Sequence, residues 1–131
     1  GIGRGHFTYE EYAALMAHVR RDYRRITNGL RFPHVVVCCH NPRLRCSCRK
    51  PKTGMWHAEI VPAFHHHIDM EHSWFLDDKL ENLEFGRQVG LRLGYVVSES
   101  FTAVSPCDFT VFTSLHQFAE FLLKKKIPCN V

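Results

Sequence analysis

The sequence has no long hydrophobic run, since no apolar stretch approaches the roughly 20 residues needed to cross a bilayer. It also shows no secretion signal, and its last three residues are one residue short of a prenylation box. The excess of positive charge is small, at a formal net charge of +4, and does not by itself indicate a nucleic-acid partner. We therefore expect a cytoplasmic protein that binds neither a membrane nor a nucleic acid.

Internal repeats, low-complexity segments and domain linkers are lacking as well. The 131 residues suffice for one hydrophobic core, and we expect a single domain over residues 1–131. Six cysteines are present, but four of them fall between positions 38 and 48. That clustering disfavours the disulfide framework of a small secreted protein and favours a reducing compartment.

The cysteine-rich segment, CCHNPRLRCSC, contains two pairs of potential metal ligands, Cys38-x-His40 and Cys46-x-Cys48. Three thiolates and one imidazole satisfy the tetrahedral preference of zinc, and a closed set of four leaves no open position, which indicates a structural site. A loop disulfide or free thiols are the alternatives, although His40 has no role in a disulfide. Cys39 adjoins Cys38 and is expected to stay outside the site.

Apolar periodicity predicts helices and strands in alternation along the chain. Predicted helices run from the capping box Thr8-x-x-Glu11 to about Arg25, from Met55 to about His67, from Leu80 to Gly90, and from the capping box Ser114-x-x-Gln117 through Leu122. Predicted strands cover His34–Val37, Ser73–Leu76, Leu93–Val97 and Phe109–Phe112. This order indicates an α/β fold with a mainly parallel sheet.

Two further groups of polar residues admit an ordinary explanation. The arginines of the first helix, Arg20, Arg21, Arg24 and Arg25, suggest a binding patch, but a solvated helix face is the simpler interpretation. The run His65-His66-His67 suggests a metal site, but consecutive helical side chains point in different directions and at most two could share an ion.

Charged residues follow two of the predicted strands at the end where parallel sheets bind ligands. Arg49 and Lys50 come after the first strand, and Asp77-Asp78-Lys79 comes after the second. Paired carboxylates can hold Mg²⁺ together with substrate phosphate oxygens, which indicates phosphoryl chemistry. Equally, Asp77 and Asp78 can cap the helix that follows, and the sequence leaves both interpretations open.

Five motifs together carry a resemblance to a known family. They are Gly1-Ile2-Gly3-Arg4-Gly5-x-Phe7-Thr8, Cys38-x-His40, Cys46-x-Cys48-Arg49-Lys50-Pro51-Lys52-x-Gly54-Met55, His67-Ile68-Asp69-Met70 and Asp78-Lys79-Leu80-Glu81-Asn82. In this order they resemble the zinc-loop phosphatases of the haloacid dehalogenase superfamily, with their heptose-bisphosphate and histidinol-phosphate branches. The resemblance covers essentially the whole chain. It implies a partial Rossmann-like, three-layer sandwich that lacks its first strands and carries a zinc-binding loop at residues 38–48.

The resemblance also implies roles for individual residues. Cys38, His40, Cys46 and Cys48 would hold zinc. Lys50 would hold the substrate phosphate and the nucleophile, and Arg49 would contact the substrate. Asp78 would bind Mg²⁺, Lys79 would lie beside that metal, and Asp77 would be a second possible ligand. However, Asp77 stands where the family usually has glycine, and Asn82 replaces an acidic residue.

The family's aspartate nucleophile and its general acid/base lie two residues apart, ahead of the Gly-Ile-x-Arg-Gly segment, which here is residues 1–5. Without an activated carboxylate no aspartyl-phosphate forms, and we expect the 131 residues alone to be inactive. Asp69 is a poor substitute because it precedes its strand and lies at the wrong end of the sheet.

The resemblance therefore predicts the C-terminal portion of a Mg²⁺-dependent phosphatase that acts on a phosphorylated sugar or on histidinol phosphate. The alternative is a non-catalytic, zinc-stabilised binding or assembly module derived from such an enzyme. Either way, strand edges left unpaired by the missing strands are expected to be covered by self-association or by a complementing chain.

Overall fold

The computed structural model describes residues 1–64, 67–97 and 108–124. Within these ranges the chain divides into two compact units. The first unit contains Gly1–Arg49 and residues 54–64, and the second contains Lys50–Thr53 and residues 67–97 and 108–124. No helix in the described ranges combines the length and the hydropathy needed to cross a membrane. A single domain over residues 1–131 stays a prediction.

The first unit begins with the predicted amphipathic helix, α1, over Tyr9–Ile26. Its capping box forms as expected, since Thr8 N donates to Glu11 Oε2 at 2.7 Å and Glu11 N donates to Thr8 Oγ1 at 3.1 Å. The helix stops where Asn28 and Gly29 adopt positive φ angles of 54° and 97°. The sequence predicted both ends of this helix.

The predicted strand over His34–Val37 is wrong, because residues 31–39 have no regular secondary structure. The run His34–Val37 has the composition of a strand. A strand also needs a neighbour to complete its hydrogen bonds, and all three described strands belong to the second unit.

The predicted helix from Met55 to His67 is shorter and irregular. A π-helical turn covers Trp56–Ile60, with Val61 N donating to Trp56 O, and a short α2 covers Val61–Ala63. Pro62 explains the irregularity, because it lacks an N–H and its ring opposes an ordinary helical turn before it. His67 is not helical, and His65 and His66 lie outside the described residues.

The second unit contains a parallel sheet in the order β1-β2-β3. Its strands are β1 at Trp74–Asp77, β2 at Arg92–Val96 and β3 at Thr110–Phe112, and its helices are α3 at Leu83–Val89 and α4 at Leu115–Lys124. A 3₁₀ turn over Leu80–Asn82 leads into α3. Each strand lies within one residue of its predicted bounds, and the α/β prediction is confirmed.

The two helices cover opposite faces of this sheet. Phe75 contacts the ring of Phe85 on α3, with centroids 5.0 Å apart. Its neighbour Trp74 contacts Phe118 and Phe121 on α4, at 5.6 and 5.4 Å. Because successive strand residues point to opposite faces, α3 and α4 must lie on different sides of β1. The second unit is therefore a small α/β/α sandwich, as predicted.

In the core of the second unit, α3 packs closely against the sheet. A Cβ placed on Gly86 would lie 2.5 Å from Leu93 Cδ2 and 2.9 Å from Phe75 Cβ, so α3 approaches the sheet at a distance that only glycine permits. The buried apolar side chains of this unit are Leu83, Phe85, Leu93, Tyr95 and Phe112. In the first unit only Trp56 is comparably buried among the described apolar residues.

Candidate functional site

The segment from Cys38 to Cys48 turns back on itself in the first unit. Asn41 caps a 3₁₀ turn over Pro42–Leu44 by accepting a hydrogen bond from Arg43 N at 2.9 Å. Arg45 then adopts a left-handed conformation with φ 47°. This reversal brings the residues that follow Arg45 back to those that precede Asn41.

Four side chains converge as a result. The ligand atoms of Cys38, His40, Cys46 and Cys48 all lie within 4.8 Å of one another. Cys48 Sγ lies 3.2 Å from Cys38 Sγ, 3.3 Å from Cys46 Sγ and 3.0 Å from His40 Nδ1. Ligands bound tetrahedrally to one zinc ion lie roughly 3.5–3.8 Å apart, so small adjustments of these side chains would suffice to coordinate the ion. This group can hold a metal ion such as zinc.

The protonation of the thiols shows why a cation suits the cluster. Hydrogen bonding with Cys48 lowers the pKa of Cys46 to about 6, whereas burial raises the pKa of Cys48 to about 12, helped by hydrogen bonds with Cys38 and Cys46. Thiolates this close repel one another, and the positive charge of a bound metal offsets this repulsion and keeps the coordinated thiols deprotonated. The described cysteines form no disulfide, and Cys39 is exposed outside the group.

Backbone contacts hold the loop in this shape. Arg49 Nη2 donates to the carbonyl oxygen of His40 at 2.6 Å, and Gly54 N donates to Ser47 O at 3.0 Å. Gly3 packs directly on the same carbonyl, since a Cβ there would lie 1.9 Å from His40 O. The opening glycine-rich motif and Arg49 therefore both support the residue that supplies the imidazole.

A second cluster lies in the other unit, at the carboxyl end of β1. Lys50 Nζ donates a hydrogen bond to Asp77 Oδ2 and lies 5.1 Å from the ring centroid of Phe75. Asp77 Oδ1 accepts from Lys79 N and from Asn82 Nδ2, each at 3.0 Å. The Asp77 side chain is only 6% exposed, whereas that of Lys50 is 38% exposed. The ammonium group of Lys50 is thus anchored by a buried carboxylate, and the lysine side chain stays partly exposed to solvent.

The pKa of Asp77 follows from these contacts. Burial raises the pKa of this carboxyl group. The hydrogen bonds from Lys50 and Asn82, together with the charge of Lys50, lower the pKa by more than burial raises it, so the pKa of Asp77 lies below its ordinary value. Asp77 is therefore an ionised, largely buried anchor for Lys50. It also accepts the N–H of Lys79 in a local turn, but no side chain caps the 3₁₀ turn or α3, so the capping interpretation is not borne out.

Asp78 differs from its neighbour. It is exposed, and its carboxylate makes no hydrogen bond or ion pair with the described residues. An exposed carboxylate at a strand end is available to a cation. Lys79 is exposed beside it.

Sequence reasoning missed the partners of Asp77. The sequence identified Asn82 only as the replacement of an acidic residue, whereas the Asn82 amide donates to Asp77. It grouped Lys50 with Arg49, yet the Arg49 side chain is engaged with the zinc loop. Asp69 lies ahead of β1 and accepts from His72 N at 3.1 Å, a local turn contact in keeping with its exclusion as a nucleophile.

Comparisons with known proteins identify relatives of the chain. It is 37% identical over 90 residues to D-glycero-beta-D-manno-heptose-1,7-bisphosphate 7-phosphatase of Pseudomonas putida, covering 69% of this chain. It is 27% identical over 139 residues to the Vibrio cholerae enzyme of the same name, covering 96% of this chain. The histidine biosynthesis bifunctional protein HisB of Blochmanniella floridana is 29% identical over 66 residues, or 50% of this chain.

The chain is similar to these phosphatases over most of its length. The resemblance to the zinc-loop phosphatases is thereby confirmed. No protein-family model matches the chain, and no solved structure matches it. The chain spans about half the length of the P. putida phosphatase, at 49%. It spans 18% of the HisB protein and 70% of the V. cholerae phosphatase.

Proposed function

We propose that this chain contributes the zinc loop and the phosphate-binding lysine of a Mg²⁺-dependent phosphatase. The substrate would be a phosphorylated sugar, such as a heptose bisphosphate, or histidinol phosphate. The names of the relatives support phosphate-ester hydrolysis. The observation that carries the proposal is Lys50, anchored by Asp77 at the carboxyl end of β1, where parallel sheets bind ligands.

Each residue has a proposed role. Lys50 neutralises the substrate phosphate, and Asp77 positions the side chain of Lys50. Asp78 binds Mg²⁺, which would spread charge from the phosphate oxygens. Arg49 contacts the substrate and also supports the zinc loop. Zinc on Cys38, His40, Cys46 and Cys48 has a structural role, because the four ligands leave no coordination position open.

The nucleophile is the part that these residues do not supply. The five aspartates of the sequence include no pair two positions apart. We propose that the 131 residues alone do not hydrolyse phosphate esters, and that activity requires a carboxylate from outside them. A cytoplasmic location, and coverage of the β1 edge by a second copy or a complementing chain, are part of the same proposal.

Phosphate release from D-glycero-D-manno-heptose 1,7-bisphosphate and from histidinol phosphate tests this function on the protein as isolated from its source. Hydrolysis should require Mg²⁺. Lys50→Met should lower kcat by about 100-fold or more, the usual cost of removing a group that stabilises transition-state charge. Lys124→Met, at the end of α4, removes the same charge and should retain activity.

The same assay separates the alternative function. A zinc-stabilised binding or assembly module would hydrolyse neither substrate, with or without Mg²⁺. The feature that favours this alternative is the first unit, which combines the metal-ligand group with exposed apolar residues on α1. Measurable Mg²⁺-dependent hydrolysis by the 131 residues alone would contradict the requirement for an outside carboxylate.

A further inference from the structure

A positively charged cleft of about 1320 Å³ lies in the first unit, between the C-terminal half of α1 and residues 29–35. Its lining includes five arginines and no acidic residue, and it shares no residue with the zinc-loop group or with the Lys50–Asp77 pair. The arginines are Arg20, Arg21, Arg24, Arg25 and Arg31.

The charge of this cleft is largely uncompensated. Arg25 lies 3.7 Å from Asp22, but that carboxylate is also held by His18 at 3.2 Å. Within the described residues, Arg20, Arg24 and Arg31 make no ion pair. A solvated helix face therefore explains the cleft incompletely. The dipole of α1 accounts for basic residues in its last turn, but Arg31 lies beyond the helix.

The geometry suits a compact, multiply charged anion. Arg20 and Arg24 are one helical turn apart, about 6 Å along the axis. Guanidinium groups donate paired hydrogen bonds to phosphate oxygens. At the rim, Phe64 is 48% exposed and its ring lies 6.3 Å from that of His34, which leaves an apolar surface beside the charges. The short span and the net charge of only +4 favour a small ligand over a long nucleic acid or a membrane.

We propose that this cleft binds a small anion that carries at least two neighbouring phosphates. Inorganic polyphosphate and a nucleoside triphosphate share this chemistry. A nucleoside triphosphate would add a base that can contact Phe64. The proposal does not rest on the phosphatase activity, because it concerns different residues and its test measures binding.

Calorimetric titration of the purified, metal-retaining chain with inorganic tripolyphosphate tests the cleft. The double variant Arg20→Gln/Arg24→Gln should weaken binding by about tenfold or more, because each arginine contributes a charge-assisted hydrogen bond. Arg4→Gln/Arg43→Gln removes the same net charge from turns outside the cleft and should weaken binding by less than about twofold. Circular dichroism confirms that each variant is folded.

The outcomes decide the proposal and the source of the phosphates. Equal affinities for tripolyphosphate and ATP indicate a site for phosphates alone. A higher affinity for ATP indicates a nucleotide site if Phe64→Ala removes the difference between the two ligands. No binding of either ligand, or equal losses in the two double variants, overturns the proposal. So does far tighter binding of a single-stranded oligonucleotide or of vesicles containing phosphatidylserine, since the surface would then serve a macromolecular polyanion.

Discussion

Lys50 and Asp77 are 27 positions apart in the sequence and form an ion pair at the carboxyl end of β1. The pair links the segment that follows the zinc loop to the end of the strand, and both residues belong to the second unit. The carboxylate of Asp77 is satisfied from three sides, by Lys50, Lys79 N and Asn82. It therefore acts as a fixed anchor for the lysine.

Replacing this anchor should destabilise the second unit at neutral pH. Asp77→Asn keeps the size of the side chain but loses the charge that Lys50 contacts. We expect a loss of about 1–2 kcal/mol in the free energy of unfolding, at the modest end for charged hydrogen bonds because Lys50 is 38% exposed and partly screened. Urea denaturation at pH 7 measures this difference.

The pH dependence gives an independent check on the same pair. The pKa of Asp77 is lowered in the folded state, so its stabilisation is fully present above its ordinary value of 3.8 and is lost as pH falls through the lower folded pKa. The difference between wild type and Asp77→Asn should therefore be constant from pH 7 to about pH 5 and should shrink below about pH 4. A difference that grows on acidification would contradict the ion pair.

Asp78 should behave in the opposite way to Asp77. Its carboxylate is exposed and makes no hydrogen bond or ion pair with the described residues, so Asp78→Asn should change the free energy of unfolding by less than about 0.5 kcal/mol. We expect millimolar Mg²⁺ to raise the Tm of the wild type, since a ligand that binds only the folded state stabilises it, and we expect Asp78→Asn to abolish this rise. Thermal unfolding with and without MgCl₂ measures both effects, and retention of the Mg²⁺ shift in Asp78→Asn would exclude this residue as the ligand.

Local sequence signals predicted most of the secondary structure. Thr8 and Glu11 define the start of α1, and Asn28-Gly29 defines its end, because caps and positive-φ turns depend on neighbouring residues only. The metal-ligand group was predictable for the same reason, since its two pairs flank one short turn. The strand expected at His34–Val37 failed because strand formation depends on a partner that composition does not reveal.

Contacts between distant residues were not predictable in this way. Nothing in the local sequence pairs Lys50 with Asp77 or places the Asn82 amide on the same carboxylate. The interpretation of Asp77 and Asp78 stayed open because adjacent carboxylates look alike in sequence, whereas burial of one and exposure of the other separates them in the structure.

Gly86 offers a test of the packing between α3 and the sheet. Alanine is favoured over glycine in a helix by about 1 kcal/mol, so propensity alone predicts that Gly86→Ala stabilises the protein. The added Cβ would instead lie 2.5 Å from Leu93 Cδ2, and overpacking of a core usually costs about 1–3 kcal/mol. We expect net destabilisation in urea unfolding. Stabilisation would mean that α3 lies farther from β2 than the structure shows.

Self-association is expected to cover apolar surface on α1 and the outer edge of β1. Leu15 is 58% exposed and Ile26 is 77% exposed, and β1 pairs only with β2 among the described strands. Light scattering should give a mass above the 15.3 kDa of one chain. Leu15→Glu should lower that mass, whereas Ala17→Glu, an equal charge at an exposed position two residues on, should not. A monomeric wild type would refute the association.

The metal should matter most to the first unit, because that unit has little else to hold it together. Trp56 is its only comparably buried apolar side chain among the described residues, and α1 buries none. A structural zinc site contributes apparent binding free energy on the order of 10 kcal/mol, which exceeds what such a small core can supply. We therefore expect one zinc ion per chain by elemental analysis, and loss of structure in the first unit when a strong chelator removes it.

The two tryptophans allow this loss to be located. Trp56 belongs to the first unit and Trp74 to the second, so in a Trp74→Phe variant the fluorescence of Trp56 alone reports the first unit. Chelation, or the substitution Cys46→Ser, should shift that emission to longer wavelength as Trp56 meets water. Cys39→Ser changes a neighbouring thiol outside the ligand group and should keep both the zinc and the emission. Protein purified without zinc but with native Trp56 emission would show that the four side chains hold the loop without a metal.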